Sequence, residues 1–321
     1  MIHFQRSMAR LSAIVLTAVL VAGFSACKTQ YTVSTSATSA AQSIESPQPQ
    51  LINQEAAAWA KAHSAALVDK YLKDAGNKLD PDEMRKLFAP IGYDGGSNTV
   101  YYRDAEKVLV DTLYGVMLQR AVAAGKTSIV IFTGPSASGK STATKTMDFS
   151  NTGIVYDAAF NSYRKLSAAV QRAQQAGMKQ VTIIAVYNTI RNCFRNSLDR
   201  GKVTNRFIHV PYMIESYRNN INKMELMRQN FPDVEYICID KSDNVHANRV
   251  TMDDAVKWNF SVSQEEIHDL FSYIIDEINK GELTPHQLAY VTGDILSIEG
   301  LSDSNKALAQ EIDRRIREMS R

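Results

Sequence analysis

The chain has 321 residues, 45% of them hydrophobic, and a formal net charge of +2 from 36 Lys and Arg against 34 Asp and Glu. So small an excess gives no reason to expect nucleic acid as a partner, and three cysteines are too few for the disulfide framework on which small exported domains rely. The apolar content is enough for one good-sized domain with helical additions.

The N-terminus reads as a leader. Arg6 and Arg10 flank the start of an apolar run, Leu11 to Phe24, interrupted only by Ser12, Thr17 and Gly23, and Ser25-Ala26 then lead to Cys27. This is the pattern of a secretory signal peptide, too short to span a bilayer comfortably. Cleavage before Cys27 would make that thiol the new N-terminus, so the segment resembles a bacterial lipoprotein signal, with Phe24 bulkier than the leucine usual three places before the cysteine. The resemblance implies removal of residues 1–26, lipidation of Cys27 and anchorage in the cell envelope, where nucleotide is scarce. An uncleaved anchor, or a misassigned start with a cytoplasmic protein behind it, is the alternative.

Residues 27–50 are mostly Ser, Thr, Ala, Gln and Pro, which bury too little surface to offset chain entropy, and they read as a flexible tether. Residues 51–126 form a helical preface. Asn53 to Asp74 is an alanine-rich helix, Asp80-Pro81 caps a short second one, the chain turns at Gly95-Gly96, and Asp104 opens a helix that Gly125 ends.

From Thr127 the order becomes strand, loop, helix, repeated. Ser128–Phe132, Gly153–Asp157, Gln180–Val186 and Val234–Asp240 are short, apolar and β-branched, with helix-like stretches such as Asn161–Ala176 and Pro211–Asn230 between them. This alternation over 127–245 predicts an α/β fold of the P-loop NTPase type, a parallel sheet with helices on both faces and ligands at the carboxyl ends of its strands.

Directly after the first strand stands Gly134-Pro135-Ser136-Ala137-Ser138-Gly139-Lys140-Ser141, then Thr142, with the form G-x-x-x-x-G-K-[ST]. The glycines let the backbone aim several N–H groups at a nucleotide phosphate, Lys140 reaches the β- and γ-phosphates, and Ser141 offers its hydroxyl to Mg²⁺. A helix beginning at Ser141 is expected to point its positive end at the same anion. Residues 134–142 are the expected site for ATP or GTP.

Two strands end in a carboxylate. Asp157 stands where it can take the proton of an acceptor hydroxyl or hold Mg²⁺ through water, unless it merely caps the helix near Asn161. Asp240, followed by Lys241-Ser-Asp-Asn244, reads as a turn residue. Positive charge for a transferred phosphoryl is expected from Arg191, Arg195, Arg200, Lys202 and Arg206. Arg191 and Arg195 are one helical turn apart, and Gly201 with the polar residues after it reads as the tip of a mobile lid; a solvated basic face is the alternative for any single arginine. Cys193 and Cys238 read as buried free thiols, and the six histidines lack metal-ligand spacing.

Taken together, these residues resemble the zeta-toxin-like P-loop kinases. The likeness rests on Gly134–Thr142, on Ile154-Val-Tyr-Asp157, on the stretch from Arg195 to Arg206, and on Tyr236-Ile-Cys-Ile-Asp240 with Asn244 shortly after. It implies transfer of the γ-phosphate of ATP or GTP, with Mg²⁺, to a hydroxyl of a small acceptor, in characterised members a UDP-activated amino sugar. It also implies roles: Lys140 stabilising the migrating phosphoryl, Ser141 holding Mg²⁺, Asp157 as base, and Arg195 and Arg206 as lid arginines, with Arg200 and Arg218 as substitutes. One departure is Ala158-Ala159-Phe160 after Asp157, where many members carry a second acid. Whether a cognate antitoxin exists is a matter of neighbouring genes.

Residues 246–321 return to helix. Ser263 and Glu266 form a capping box, Ile267, Leu270, Phe271, Ile274, Ile275 and Ile278 share a helical face, and Leu308, Ile312 and Ile316 make a weaker stripe; all read as core. Besides an active kinase, two readings compete: a nucleotide hydrolase or switch that needs no acceptor, and a non-catalytic envelope lipoprotein that keeps the fold for binding.

Overall fold

The computed structural model describes residues 49–321 except Ser97. The leader, Cys27 and the tether up to residue 48 lie outside the described residues.

The preface begins with α1 (Pro49–Ala62) and α2 (Ser64–Ala75), two helices where the sequence predicts one. The break is at His63 (φ −106°, ψ 10°), whose ring nitrogen also bonds the Trp59 carbonyl at 2.8 Å. Next come β1 (Lys78–Leu79), α3 (Pro81–Arg85) and, after two 3₁₀ turns, α4 (Arg103–Ala123). Asp80 caps α3 as expected, its side chain accepting from the amides of Asp82 and Glu83.

The central part runs β2 (Ser128–Thr133), α5 (Lys140–Ala143), β3 (Ile154–Tyr156), α6 (Tyr163–Gln175), β4 (Gln180–Tyr187), α7 (Ile190–Thr204), α8 (Val210–Arg218), α9 (Lys223–Asn230), β5 (Glu235–Asp240) and β6 (Asn248–Val250). The fold is α/β, with strands in the order β1-β3-β2-β4-β5-β6, parallel except for β6. The edge strands β1 and β6 were not expected, being two and three residues long with no periodic signal. The stretch read as one helix from Pro211 is interrupted between α8 and α9, where Asn222 takes a positive φ of 55° and Asn220 bonds back to the carbonyls of Ser216 and Tyr217.

The two faces of the sheet are filled differently. Ile129 and Ile131 of β2 pack with residues of α4 and α6, whereas Val130 and Phe132 face Ala143, Met147 and Phe149. The helix expected from Ser141 is one turn, α5, followed by an irregular segment. Its physical reason is local: Thr142, Thr144 and Thr146 are poor helix formers, and Thr144 Oγ1 donates back to the Lys140 carbonyl at 3.0 Å.

The C-terminal part comprises α10 (Met252–Ala255), α11 (Gln264–Lys280), α12 (Pro285–Thr292) and α13 (Asp303–Met319). The capping box at Ser263 and Glu266 is present. Ile267, Leu270, Phe271 and Ile274 of α11 and Ile312 and Ile316 of α13 share a core with Ile190, Phe194 and Leu198 of α7 and with Met213 and Ile214 of α8. That core holds α7 along one side of the sheet's carboxyl edge.

Candidate functional site

The loop 134–141 joins the carboxyl end of β2 to α5. Gly134 has a φ of 139°, and a Cβ there would stand 2.2 Å from the Val186 carbonyl oxygen, so both conformation and space require glycine. Gly139 (φ 86°) also needs the left-handed region, while Ala137 occupies it at φ 58° despite its side chain. The loop is anchored from outside itself: the Gly134 amide donates to the Ala159 carbonyl at 3.1 Å. Pro135 and Ser138 are buried, Ser136 and Lys140 half-buried, and Ser141 and Thr142 exposed. Ser138 Oγ has no hydrogen-bond partner among the described residues.

Lys140 Nζ donates to the Pro135 carbonyl at 3.1 Å, spanning the loop. Burial lowers its pKa from the ordinary lysine value; Asp157 offsets this in part, and Arg200 adds to it. The charge neighbours of Lys140 thus include one acid from the end of β3 and one arginine from α7. Asp157 does not cap α6, because Ser162 does so with its own side chain. Instead the Asp157 amide donates to Leu79 of β1 at 2.8 Å, and its carboxylate pairs with Lys78 at 3.1 Å; Lys78 also pairs with Asp80 at 2.9 Å. Asp240 serves a turn, accepting from the Ser242 amide at 2.7 Å.

The arginines are distributed otherwise than expected. Arg191 and Arg195 do share a face of α7, but that face meets α11. Arg191 is ion-paired with Asp269 at 2.5 Å and Glu265 at 3.4 Å, and Arg195 lies exposed over the Tyr273 ring at 5.4 Å. Arg195, expected as a lid arginine, thus stands at the surface of the α7–α11 contact. The lid tip also differs from expectation. Helix α7 runs through Gly201, where a Cβ would stand 2.1 Å from the Phe207 ring, so this glycine serves close packing. Lys202 ties α7 down by pairing with Glu277 at 2.7 Å and Glu282 at 2.6 Å.

Arg206 pairs with Asp82 of α3, and Arg218 donates to the Val262 carbonyl at 3.4 Å. Arg200, like Arg218, has only a backbone carbonyl as acceptor among the described residues, and what sets it apart is its place among the charges around Lys140. It is half-buried, its Nε donates to the Arg206 carbonyl at 3.4 Å, and no carboxylate pairs with it among the described residues. Burial and the neighbouring Arg85 lower its pKa.

Sequence reasoning missed an asparagine network behind the loop. Asn188, fully buried, donates to the Ser138 carbonyl at 3.4 Å and to Asn244 Oδ1 at 3.0 Å; Asn196 donates to the Ala137 carbonyl and to Asn244 Oδ1, both at 3.1 Å. Asn192 links Asn188 to the Ser242 carbonyl. The four-residue spacing of 188, 192 and 196 is the signal that could have revealed it. Also missed were two buried lysines. Lys241 is 5% exposed, with its Nζ 3.3 Å from where a Cβ of Gly139 would lie, and Lys223 is 2% exposed beneath the end of β2.

Of two surface depressions, about 520 and 320 Å³, neither is lined by the glycine-rich loop: one is lined by Arg314, Arg315 and Met319, the other by Arg191, Arg195 and Tyr273. Neither a family model nor a curated protein matches the chain.

Proposed function

We propose that this protein is a phosphotransferase resembling the zeta-toxin-like P-loop kinases, moving the γ-phosphate of ATP or GTP to a hydroxyl of a small acceptor. The observation that carries the reading is the gathering around Lys140 of the carboxylates of Asp157 and, more weakly, Asp80 with the half-buried Arg200, whose Nε donates to the Arg206 carbonyl. Phosphoryl transfer asks for little else: fixed positive charge for the migrating group and a carboxylate for the acceptor proton.

In this reading the amides of the loop and the partnerless Ser138 hydroxyl face the phosphates, since a buried polar atom without a protein partner suits a ligand. The one-turn α5 contributes little dipole, so the loop amides and the cations Lys140, Arg200 and Lys241 carry the anion. Asp157 receives the acceptor proton at a carboxylate oxygen, with Lys78 holding it in place from β1. Arg200 takes the role first assigned to Arg195, and Arg206, fixed to Asp82, stands at the side of the site.

Mg²⁺ fits the donors present, because Ser141 and Asp157 offer the hard oxygens that it prefers. When bound it neutralises phosphate charge. An envelope location, through a lipid on Cys27, completes the proposal; labelled palmitate should enter the protein and Cys27→Ala should prevent it.

The test uses the detergent-solubilised full chain with Mg²⁺ and ATP or GTP against UDP-sugars, nucleosides and aminoglycosides, beside Lys140→Ala. A phosphorylated product from the parent and none from the variant is expected. Equal nucleotide loss from both, without product, overturns the reading.

A further inference from the structure

A fourth cation lies behind the site, where the kinase reading assigns no task. Lys223, the first residue of α9, is 2% exposed. Its ammonium donates to Thr133 Oγ1 at 2.7 Å, to the Phe160 carbonyl at 2.9 Å and to Asn220 Oδ1. All three N–H bonds are therefore met by neutral oxygens, and no carboxylate pairs with it among the described residues. The charged group that acts on it is another cation, Lys140, and together with burial this lowers its pKa well below the ordinary lysine value. A methionine would fill the same volume without desolvating a charge, so packing alone does not account for a lysine here.

The three acceptors say what the ammonium joins. Thr133 is the last residue of β2, immediately before Gly134; Phe160 is three residues beyond Asp157; Asn220 belongs to the break between α8 and α9. Phe160 has a φ of 37°, a region few residues other than glycine adopt, and its carbonyl accepts a second bond from Thr133 Oγ1 at 3.1 Å. One residue earlier, the Ala159 carbonyl accepts the Gly134 amide. The segment that carries Asp157 is thus stapled to the start of the glycine-rich loop at two adjacent carbonyls, and Lys223 closes the staple from α9.

We propose that Lys223 is a positioning residue for phosphoryl transfer, its ammonium fixing the 157–160 segment against the loop and so setting Asp157 relative to Lys140. The inference rests on the kinase reading for its consequence, and on the hydrogen bonds alone for its structure. Because a misplacement of about 1 Å costs on the order of 100-fold in rate, loss of the staple should appear mainly in kcat.

The experiment compares the full chain with Lys223→Met, Asp157→Asn and the double variant, by circular dichroism, amide hydrogen exchange and transfer kinetics. In Lys223→Met, exchange of the Gly134 amide, which bonds the Ala159 carbonyl, is expected to rise about tenfold with β4 and α11 unchanged, as a local opening would give. Its kcat should fall about 100-fold, with the nucleotide KM within about threefold. The double variant should be no slower than Asp157→Asn alone, since both changes disable one unit. Lys223→Gln, which keeps two donors without the charge, is read in the same way if the methionine variant does not fold. Unchanged exchange of the Gly134 amide, a kcat within about threefold of the parent, or additive losses would each overturn the proposal. If the parent phosphorylates no acceptor, the kinase reading falls and the exchange comparison alone decides whether Lys223 holds the segment.

Discussion

Helix α7 presents guanidinium groups on two sides, and their neighbours separate them. On the side facing α11, Arg191 is met by Asp269 and Glu265, and Arg195 lies over Tyr273 in solvent. On the side facing the glycine-rich loop, Asn192, Asn196 and Arg200 follow one another at four-residue intervals, and Arg200 has no carboxylate partner among the described residues. A guanidinium already matched by acids has little field left for a ligand. One that is desolvated and unmatched keeps its field, and the protein bears the cost of holding it until an anion arrives. Residue type is the same on both sides, and on the proposed kinase reading function divides by what surrounds it.

The largest expected effect tests that division directly. Arg200→Ala should lower the transfer rate about 100- to 1000-fold, the loss typical of one electrostatic donor to a transition state, while Arg195→Ala stays within about threefold. Parallel kinetics of the two variants check this, and a reversed order would return the catalytic part to the α11 side. A smaller contrast concerns stability. Asn196→Ala leaves the Ala137 carbonyl and Asn244 short of a partner and should cost about 1–3 kcal/mol, whereas Arg191→Ala, at a partly exposed ion pair, should cost about 0–1 kcal/mol and less in high salt. Thermal melts of both variants at low and high ionic strength measure the difference.

Much of this arrangement was readable in the sequence because it is local. The β2 run and the glycine spacing after it, the apolar strand that delivers Asp157, and the stripes of α11 are all patterns within about twenty residues. What escaped depends on distant partners. Asn196 meets Ala137 across 59 residues and Lys223 meets Thr133 across 90, and nothing in a window around either end announces the other. The arginine error has a similar origin. Periodicity correctly put Arg191 and Arg195 on one face, but which neighbour that face meets is decided by the packing of α11, some 70 residues on. Gly201 was misread for a different reason: a glycine chosen for contact with Phe207 looks, in sequence, like one chosen for flexibility. The shortness of α5, like the asparagine spacing on α7, had a local warning, in Thr142, Thr144 and Thr146.

The smallest expected effect concerns Cys193, which lies on α7 between the two sides. It is fully buried, and desolvation pushes its thiol up to about 12, so almost no thiolate exists near neutral pH. Cys238, pushed up to about 11, is similarly protected. In a Cys27→Ser chain at pH 8, a thiol reagent should label neither until the protein unfolds. Because the folded pKa of Cys193 lies above the ordinary value of 9.0, its contribution to stability is intact below about pH 9 and is lost as pH rises toward 12. If Arg200 serves a ligand and not the packing of α7, Arg200→Ala should leave the labelling rate of Cys193 unchanged. A faster rate in that variant, at a pH where the parent is inert, would mean that Arg200 holds the helix in place, and the contrast between the two sides of α7 would lose its functional meaning.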